Sequence, residues 1–507
     1  MKTQEIAEAN LWWKFGKNFS LYDPHLKKLA SKPITFNRVW MDPQPQNIYV
    51  VRGPRQVGKT VWIKQTIKEL IDKKNVDPKS IFYLSCDNLT GKTRKELGDA
   101  IKFFLSNIGM DKKPLYIFLD EISAVDSWNL ELKTLADSGV TENCSIIATG
   151  SNPWDIKSKK ERLPGRDIEG NEKMFFPLSF REFVLQINHI HEWHGNQDTN
   201  LIASLRQFYS EIDSMNSADI EKYEEFNNAV RKLLPYQKEL YMLFRMYLIT
   251  GGYPESINSY ISNKYFGEKK EEKINNEIYE RYVDVLKGDL SRMVKNEDTM
   301  RELIGGVLRR QGSRYSFNDV AHEINNSTDH KTVISYTEIL RESLLVRMFY
   351  AYDLNKNTYK LKADKKIFFF DPFLCYSMNS WLKGKDGYEV SSEMLLDDTI
   401  TGNMIEGIVG NHISMTKESL PMKEMITFLW LYYDDSREID YLYKNTNDEF
   451  TAIEVKYQNN VTKRDIASLD RIKKYFLISK DTVLFENVAI IPAHLFLFLL
   501  QKSNGYI

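Results

Sequence analysis

"NIYVVRGPRQVGKTVWIKQTIKEL", residues 47–70, decides how the first part of the chain folds. Ile48, Tyr49, Val50 and Val51 form a β-branched and aromatic run of the kind that makes a buried strand. A glycine-containing loop follows, and then a helical apolar pattern. Gly53, Pro54, Arg55, Gln56, Val57, Gly58, Lys59 and Thr60 match G-x-x-x-x-G-K-[ST] in the strand–loop–helix setting that this motif requires. The residue types follow from the chemistry. Glycines let backbone N–H groups curl round phosphates, the following helix N-terminus favours negative charge, and Val61 joins the loop residues in binding the nucleotide. Lys59 would reach the β- and γ-phosphates of ATP, and the Thr60 hydroxyl would ligate Mg²⁺. A chance glycine-rich turn would carry the same letters without the flanking strand and helix.

Working outward, "PLYIFLDEIS" is an apolar strand that ends in Asp120 and Glu121. Such a run suits a central parallel strand covered on both faces, with ligands at its C-terminal end. Asp120 would hold Mg²⁺ and Glu121 would polarise the attacking water. "CSIIATGSN" adds a strand ending in Thr149, Ser151 and Asn152, polar groups placed to sense a γ-phosphate. "SIFYLSCDN" supplies a further strand of the same sheet.

"GPRQVGKT", "LDEISAVDSW", "IIATGSNP", "LPGRD" and "PLSFREF", in that order, resemble the archaeal and bacterial AAA-type P-loop ATPases that carry a C-terminal domain of unknown function. The resemblance implies a catalytic role for Arg166, as an arginine finger acting in cis or on a neighbouring copy of the chain. A solvated charge run around "KSKKERLPGRD" is the competing reading.

The middle is polar and helical. His189, His191 and His194 in "NHIHEWH" lack the cysteines or clustered acids that would complete a zinc set. "YLITGGYPES" reads as a turn between helices. Further on, "MRELIGGVLRRQG", "SFNDVAHEI" (Ser316 as N-cap) and "KTVISYTEILRES" resemble the three helices of a winged helix. "LLVRMFYAYD" and "KIFFFDPFL" are its expected strands. Arg309, Arg310, Arg314 and Lys331 are candidate DNA-phosphate contacts, while Glu338 and Glu342 on the third helix would repel a duplex.

Near the end, "REIDYLYKNTNDEFTAIEVKY" reads as a β-hairpin. Glu454 and Lys456 share one strand face. Upstream, "TGNMIEGIVGNHI" places Glu406 among apolar helical residues, an expensive position unless a charge meets it. Helix Glu406, strand Asp440, then Glu454-x-Lys456 match the PD-(D/E)xK nuclease pattern. Glu406, Asp440 and Glu454 would ligate Mg²⁺ or Mn²⁺, and Lys456 would orient the attacking water. A surface ion pair is the plainer reading of Glu454 and Lys456.

Bulk properties constrain the rest. The 507 residues are 42% hydrophobic and 27% charged with a net charge of -1, so a wholly basic nucleic-acid binder is excluded but a local basic face is not. Cys86, Cys144 and Cys375 form no disulfide or metal-spaced framework, which suits a reducing cytoplasm. The N-terminus lacks the apolar core of a signal peptide. "NVAIIPAHLFLFLLQ" falls short of the roughly 20 apolar residues of a membrane span and reads as a buried strand and terminal helix.

The expected fold class is α/β: a P-loop parallel sheet with helices, a winged helix and a restriction-endonuclease-like α/β domain. The expected boundaries are 1–180, 181–295 (helical lid or insert), 296–360 and 361–507. Two functions stay open. One couples ATP hydrolysis to DNA binding or metal-dependent phosphodiester cleavage. The other is an ATP-dependent switch, with an inactive nuclease-like domain, acting on a protein partner or on further copies of itself.

Overall fold

The computed structural model describes residues 3–38, 41–150, 171–188, 199–212, 215–293, 296–324, 330–417, 427–503 and 507. It resolves into two compact units, one built on Met1–Phe176 and the other on Pro177–Ser419 with Glu424–Ser503.

The first unit is a five-stranded parallel sheet of β1 (Ile48–Arg52), β2 (Ile81–Ser85), β3 (Leu115–Asp120), β4 (Cys144–Gly150) and β5 (Glu172–Met174), in the order β2-β3-β4-β1-β5. The central strands are apolar along their length because both faces are buried, as parallel strands require. Helices Arg94–Asn107 and Trp128–Asp137 pack on one side through Leu97, Ile101, Phe104 and Leu132. The Lys59–Asp72 helix rises directly from β1. The outer edge of β2 is covered by the N-terminal segment. Asn10 bridges the Tyr83 backbone through both atoms of its amide (2.9 and 2.7 Å), and the Trp12 and Trp13 indoles both donate to the Ile81 carbonyl (3.0 and 2.8 Å). That satisfies backbone groups which an open edge would expose.

The second unit centres on an eight-stranded sheet ordered β12-β13-β11-β10-β9-β8-β6-β7. Its strands are β6 (Val346–Asp353), β7 (Thr358–Phe369), β8 (Leu429–Tyr433), β9 (Glu438–Lys444), β10 (Phe450–Val455), β11 (Lys474–Ser479), β12 (Leu484–Phe485) and β13 (Val488–Pro492). β9 and β10 form the expected hairpin, antiparallel, while β10, β11 and β13 run parallel. The β6–β7 hairpin joins β8 through one residue pair, Ala351 with Leu431. Before that hairpin come helices Glu297–Arg309, Phe317–Ile324 and His330–Glu342. Ser316 and Asp319 cap the second of these reciprocally. Among the described residues no helix is long and apolar enough to cross a membrane, and the Val488–Pro492 strand leads into the Ala493–Leu499 helix.

One strand expectation fails. "KIFFFDPFL" is not extended throughout: β7 stops at Phe369, and Asp371 is the N-cap of helix Pro372–Lys383. Proline fits the first helical position, where no N–H is needed. Asp371 accepts from Phe373 N at 2.8 Å and, through its other oxygen, from Gly252 N at 2.8 Å. Gly251 and Gly252 form the turn between helices Gln237–Thr250 and Pro254–Ile261, so this buried carboxyl ties two distant turns together.

Burial pushes the Asp371 carboxyl up to about 7, against the backbone N–H groups of Gly252, Phe373 and Leu374. A carboxyl raised in the folded state holds a proton that the unfolded chain has lost, so its contribution is complete at low pH and fades as pH rises toward 7. Relative to Asp371→Asn, the wild-type unfolding free energy should fall by up to about 1.4 kcal/mol per pH unit between about pH 4 and 7. Urea unfolding of both proteins across that range measures it, and parallel curves would refute it.

Candidate functional site

The N-terminal site is assembled at the C-terminal ends of β1, β3 and β4. Gln56 and Gly58 take positive φ (59° and 105°), which folds the loop back on itself before the helix begins at Lys59. The buried Lys59 ammonium donates to the carbonyls of Gly53 (2.9 Å) and Pro54 (3.0 Å), and lies 4.0 Å from a Glu121 carboxylate oxygen. Pro54, Arg55, Gln56 and Val57 form the loop, and Val61 lies in the first turn of the helix.

Asp120 ends β3 and is buried. Three hydroxyls reach it: Thr60 at 2.7 Å, Thr149 at 2.5 Å and Tyr83 at 3.1 Å. Glu121 follows in the left-handed region (φ 50°), its N–H donating to Thr149 Oγ1 at 3.3 Å. Behind Tyr83, Lys64 lies 3.5 Å from the ring centroid and 3.5 Å from Asp23. Burial pulls the Lys64 ammonium down to about 8 against the opposing charge of Asp23. The adjacent hydroxyl and carboxylate of Thr60 and Asp120 fit Mg²⁺, which favours hard oxygen donors. Tyr83, Lys64 and Asp23 are the partners that sequence reading missed, since no spacing rule marks them. Ser151 and Arg166, like His189, His191 and His194, lie outside the described residues.

In the second unit, Glu406, Asp440, Glu454 and Lys456 converge on one cavity of about 420 Å³, together with Lys366 and Glu438. The Asp398–Ser414 helix supplies Glu406. It approaches the sheet closely at two glycines: a Cβ on Gly407 would stand 2.8 Å from the Phe368 ring, and one on Gly410 would overlap the Tyr441 hydroxyl. The Tyr441 hydroxyl also donates to the Glu406 carbonyl at 2.8 Å.

Glu406, Glu438, Asp440 and Glu454 line the cavity, with Asp398 also in its wall, and an ammonium lies among them. Lys366, 2% exposed, places Nζ 2.7 Å from Glu406, 2.7 Å from Asp440 and 2.9 Å from Glu438. Glu438 binds Arg314 through its second oxygen at 2.9 Å. Asp440 accepts from Val455 N at 2.9 Å through the oxygen that does not meet Lys366. Glu454 meets Lys456 at 2.9 Å and accepts from Asp440 N at 3.2 Å. Glu454 is buried while the Lys456 side chain is 42% exposed, so the pair spans from the interior to the surface.

Glu406, Asp440 and Glu454, the acids expected to ligate a metal, are brought together on one cavity. The acids meet, yet Lys366 occupies their focus, and among the described residues no group of three or more His, Cys, Asp or Glu side chains is arranged to hold a metal ion. A divalent cation does not fit this cluster as it stands. Sequence reading missed Lys366 and Glu438, although both left a trace. Lys366 heads the apolar run "KKIFFF", and Glu438 shares a strand face with Asp440.

Burial alone would lower the Lys366 ammonium, but Asp440, Glu406 and Glu438 outweigh it and the group stays charged. Burial and the Asp440 charge hold Glu406 well above the usual carboxylate range, against Lys366. The same two causes push Glu454 up to about 7, with Lys456 opposing.

Of the candidate phosphate contacts, Arg309 and Lys331 are exposed, whereas Arg314 is tied into the protein. Arg314 pairs with Glu438 and stacks over Tyr433 at 4.0 Å. The acids counted against DNA are not an open acidic face either: Glu342 is buried and Glu338 is paired with Arg341 at 2.5 Å.

Gly407→Ala should lower the unfolding free energy by on the order of 1–3 kcal/mol, because the added methyl meets a buried ring. Gly402→Ala, on the same helix with nothing within 4 Å, should raise it by about 0.5–1 kcal/mol. Equal effects in denaturant unfolding would show that the close approach at Gly407 is unimportant.

Residues 45–184 match a family described as "AAA domain". Residues 241–385 and 401–493 match two families described as domains of unknown function, DUF8612 and DUF4143. The chain is similar to uncharacterized protein MJ1544 of Methanocaldococcus jannaschii, 23% identical over 464 residues that cover 90% of this chain and 84% of that protein. It is also similar to an uncharacterized protein of Haemophilus influenzae, 27% identical over 138 residues, covering 27% of this chain and 33% of that one. Among solved structures it resembles the Aeropyrum pernix ORC1 protein in complex with DNA (11% identity, 74% of this chain and 92% of that chain, TM-score 0.30). The ADP form of the A. pernix ORC2 protein is similar at 10% identity, 76% and 95% coverage and TM-score 0.31. Residues 45–184, which carry the phosphate loop and the five-stranded parallel sheet, are thus similar to an AAA domain, and a further α/β unit follows.

Proposed function

We propose that the chain is an ATP-hydrolysing switch whose second unit binds a protein partner through a winged-helix-like segment and a nuclease-like domain that does not cut. The observation that carries the ATPase reading is the joining of Lys59, Thr60, Asp120 and Glu121 at the ends of β1 and β3, the two strands that flank β4.

The backbone of Gly53–Thr60 and Val61 receives the phosphates. Lys59, held against two loop carbonyls, exchanges those contacts for the β- and γ-phosphate oxygens. Thr60 and Asp120 are the residues that would hold Mg²⁺, which when bound neutralises developing charge on the phosphoryl oxygens. Glu121 orients the attacking water and accepts its proton. The Thr149 hydroxyl links Asp120 to the Glu121 backbone, so γ-phosphate loss at one acid is felt at the other. Ser151 extends this sensing group, and Arg166 acts as the finger, in cis or across copies of the chain.

Metal-dependent cleavage of nucleic acid is the second reading. The convergence of Glu406, Asp440, Glu454 and Lys456 on one cavity favours it. The Lys366 ammonium at the focus weighs against it, so we derive no hydrolytic step there. A protein partner is preferred over a duplex because the third helix buries Val333, Tyr336, Thr337, Ile339 and Leu340 and because Arg314 is already engaged.

Lys59→Ala should abolish ATP binding and turnover. Glu121→Gln should keep binding while reducing phosphate release by on the order of 100-fold or more. Undiminished phosphate release in Glu121→Gln would overturn its role. Wild-type protein with Mg²⁺ or Mn²⁺, with and without ATP, should leave DNA and RNA intact and should show no salt-sensitive duplex binding. Cleavage that is lost in Asp440→Ala would replace the non-cutting reading with the nuclease.

A further inference from the structure

We propose that Lys366 is a tethered cation that stands where a divalent metal ion would otherwise sit, so that the second unit's acidic cavity takes up no metal while that amine is present. The inference deepens the non-cutting reading of this domain and rests on it.

The geometry is that of a filled coordination site. An ammonium has three N–H groups. Lys366 has three carboxylate partners at 2.7, 2.7 and 2.9 Å, from the Asp398–Ser414 helix and from two positions on β9. A hard divalent cation would need oxygens from the same acids at about 2.0–2.6 Å. It would then lie so close to Nζ that two positive centres would share one hole.

Oxygens of Glu438, Asp440 and Glu454 are also engaged within the chain. Arg314 takes the second oxygen of Glu438, Val455 N–H takes that of Asp440, and Glu454 is turned toward Lys456. The backbone that carries the amine is fixed: Ile367 and Phe368 are buried, and the adjoining Lys365 pairs through its backbone with Tyr315 in both directions at 3.1 Å.

The test is Mn²⁺ uptake by full-length protein without nucleotide, read by electron paramagnetic resonance. Lys366→Met should bind one Mn²⁺ per chain roughly tenfold or more tighter than wild type. Adding Asp440→Asn should abolish that gain, and Lys366→Arg should behave as wild type. Because Lys366→Met leaves acids unpaired and can unfold the chain, Lys366→Met with Glu406→Gln provides a variant with fewer stranded charges. In either variant Mn²⁺ should raise the melting temperature, with no such rise in wild type.

Wild-type Mn²⁺ binding that disappears in Asp440→Asn would overturn the inference. So would the absence of any gain in the folded Lys366 variants, or failure of both Met variants to fold even with Mn²⁺. Cleavage of nucleic acid by wild type without metal uptake at this cavity would instead overturn the non-cutting function and leave the tethered cation standing.

Discussion

A charge buried in a protein must be met by its opposite, and much of the second unit's shape follows from one such meeting. β7 and β9 are three places apart in the sheet order, so a flat sheet would hold them about 14 Å apart. Yet Lys366 on β7 touches Asp440 on β9 at 2.7 Å. The long Lys366 side chain spans β6 and β8 to reach it, and the β6–β7 hairpin is joined to β8 at the single pair of Ala351 with Leu431. Gly407 and Gly410 let the covering helix come down far enough for Glu406 to complete the set. Removing one partner from such a cluster strands the others, so its members are coupled in energy as well as in space.

The two acid centres of this chain solve the same problem in opposite ways. Asp120 is buried among hydroxyls from Thr60, Tyr83 and Thr149. Hydroxyls stabilise a carboxylate without cancelling its charge, and a cation can displace or join them. The nearby ammonium of Lys64 is held by Asp23 instead. Asp440 is bound to an ammonium directly. The first arrangement leaves a carboxylate ready for a cation brought by a nucleotide, and the second has its cation built in.

The sequence exposed these centres unequally. The phosphate loop was legible because its letters, their spacing and the flanking elements all report one local backbone path. The hairpin carrying Asp440 and Glu454 was legible from strand alternation, and Glu406 from the cost of an acid on an apolar helix. Lys366 was not, because it reaches the acids only through the order of strands in the sheet, and no local pattern encodes which distant strands lie near one another. Tyr83 was hidden likewise: on a strand otherwise apolar it reads as packing, and only the adjacency of β2 to β3 brings its hydroxyl to Asp120. Phe370–Leu374 was misread because an aromatic run looks extended until the Asp-Pro cap is given its weight.

The same contrast explains why a matching motif does not fix a chemistry. The helix Glu, strand Asp and Glu-x-Lys of the second unit have the order, the secondary structure and the convergence that metal-dependent cleavage asks for. What they lack is an open focus. One lysine from a segment outside the motif changes the electrostatic meaning of the site, because a cation already sits among the acids that would draw in a divalent ion. Motif residues define which charges can meet, whereas the fold around them determines what those charges are left to bind.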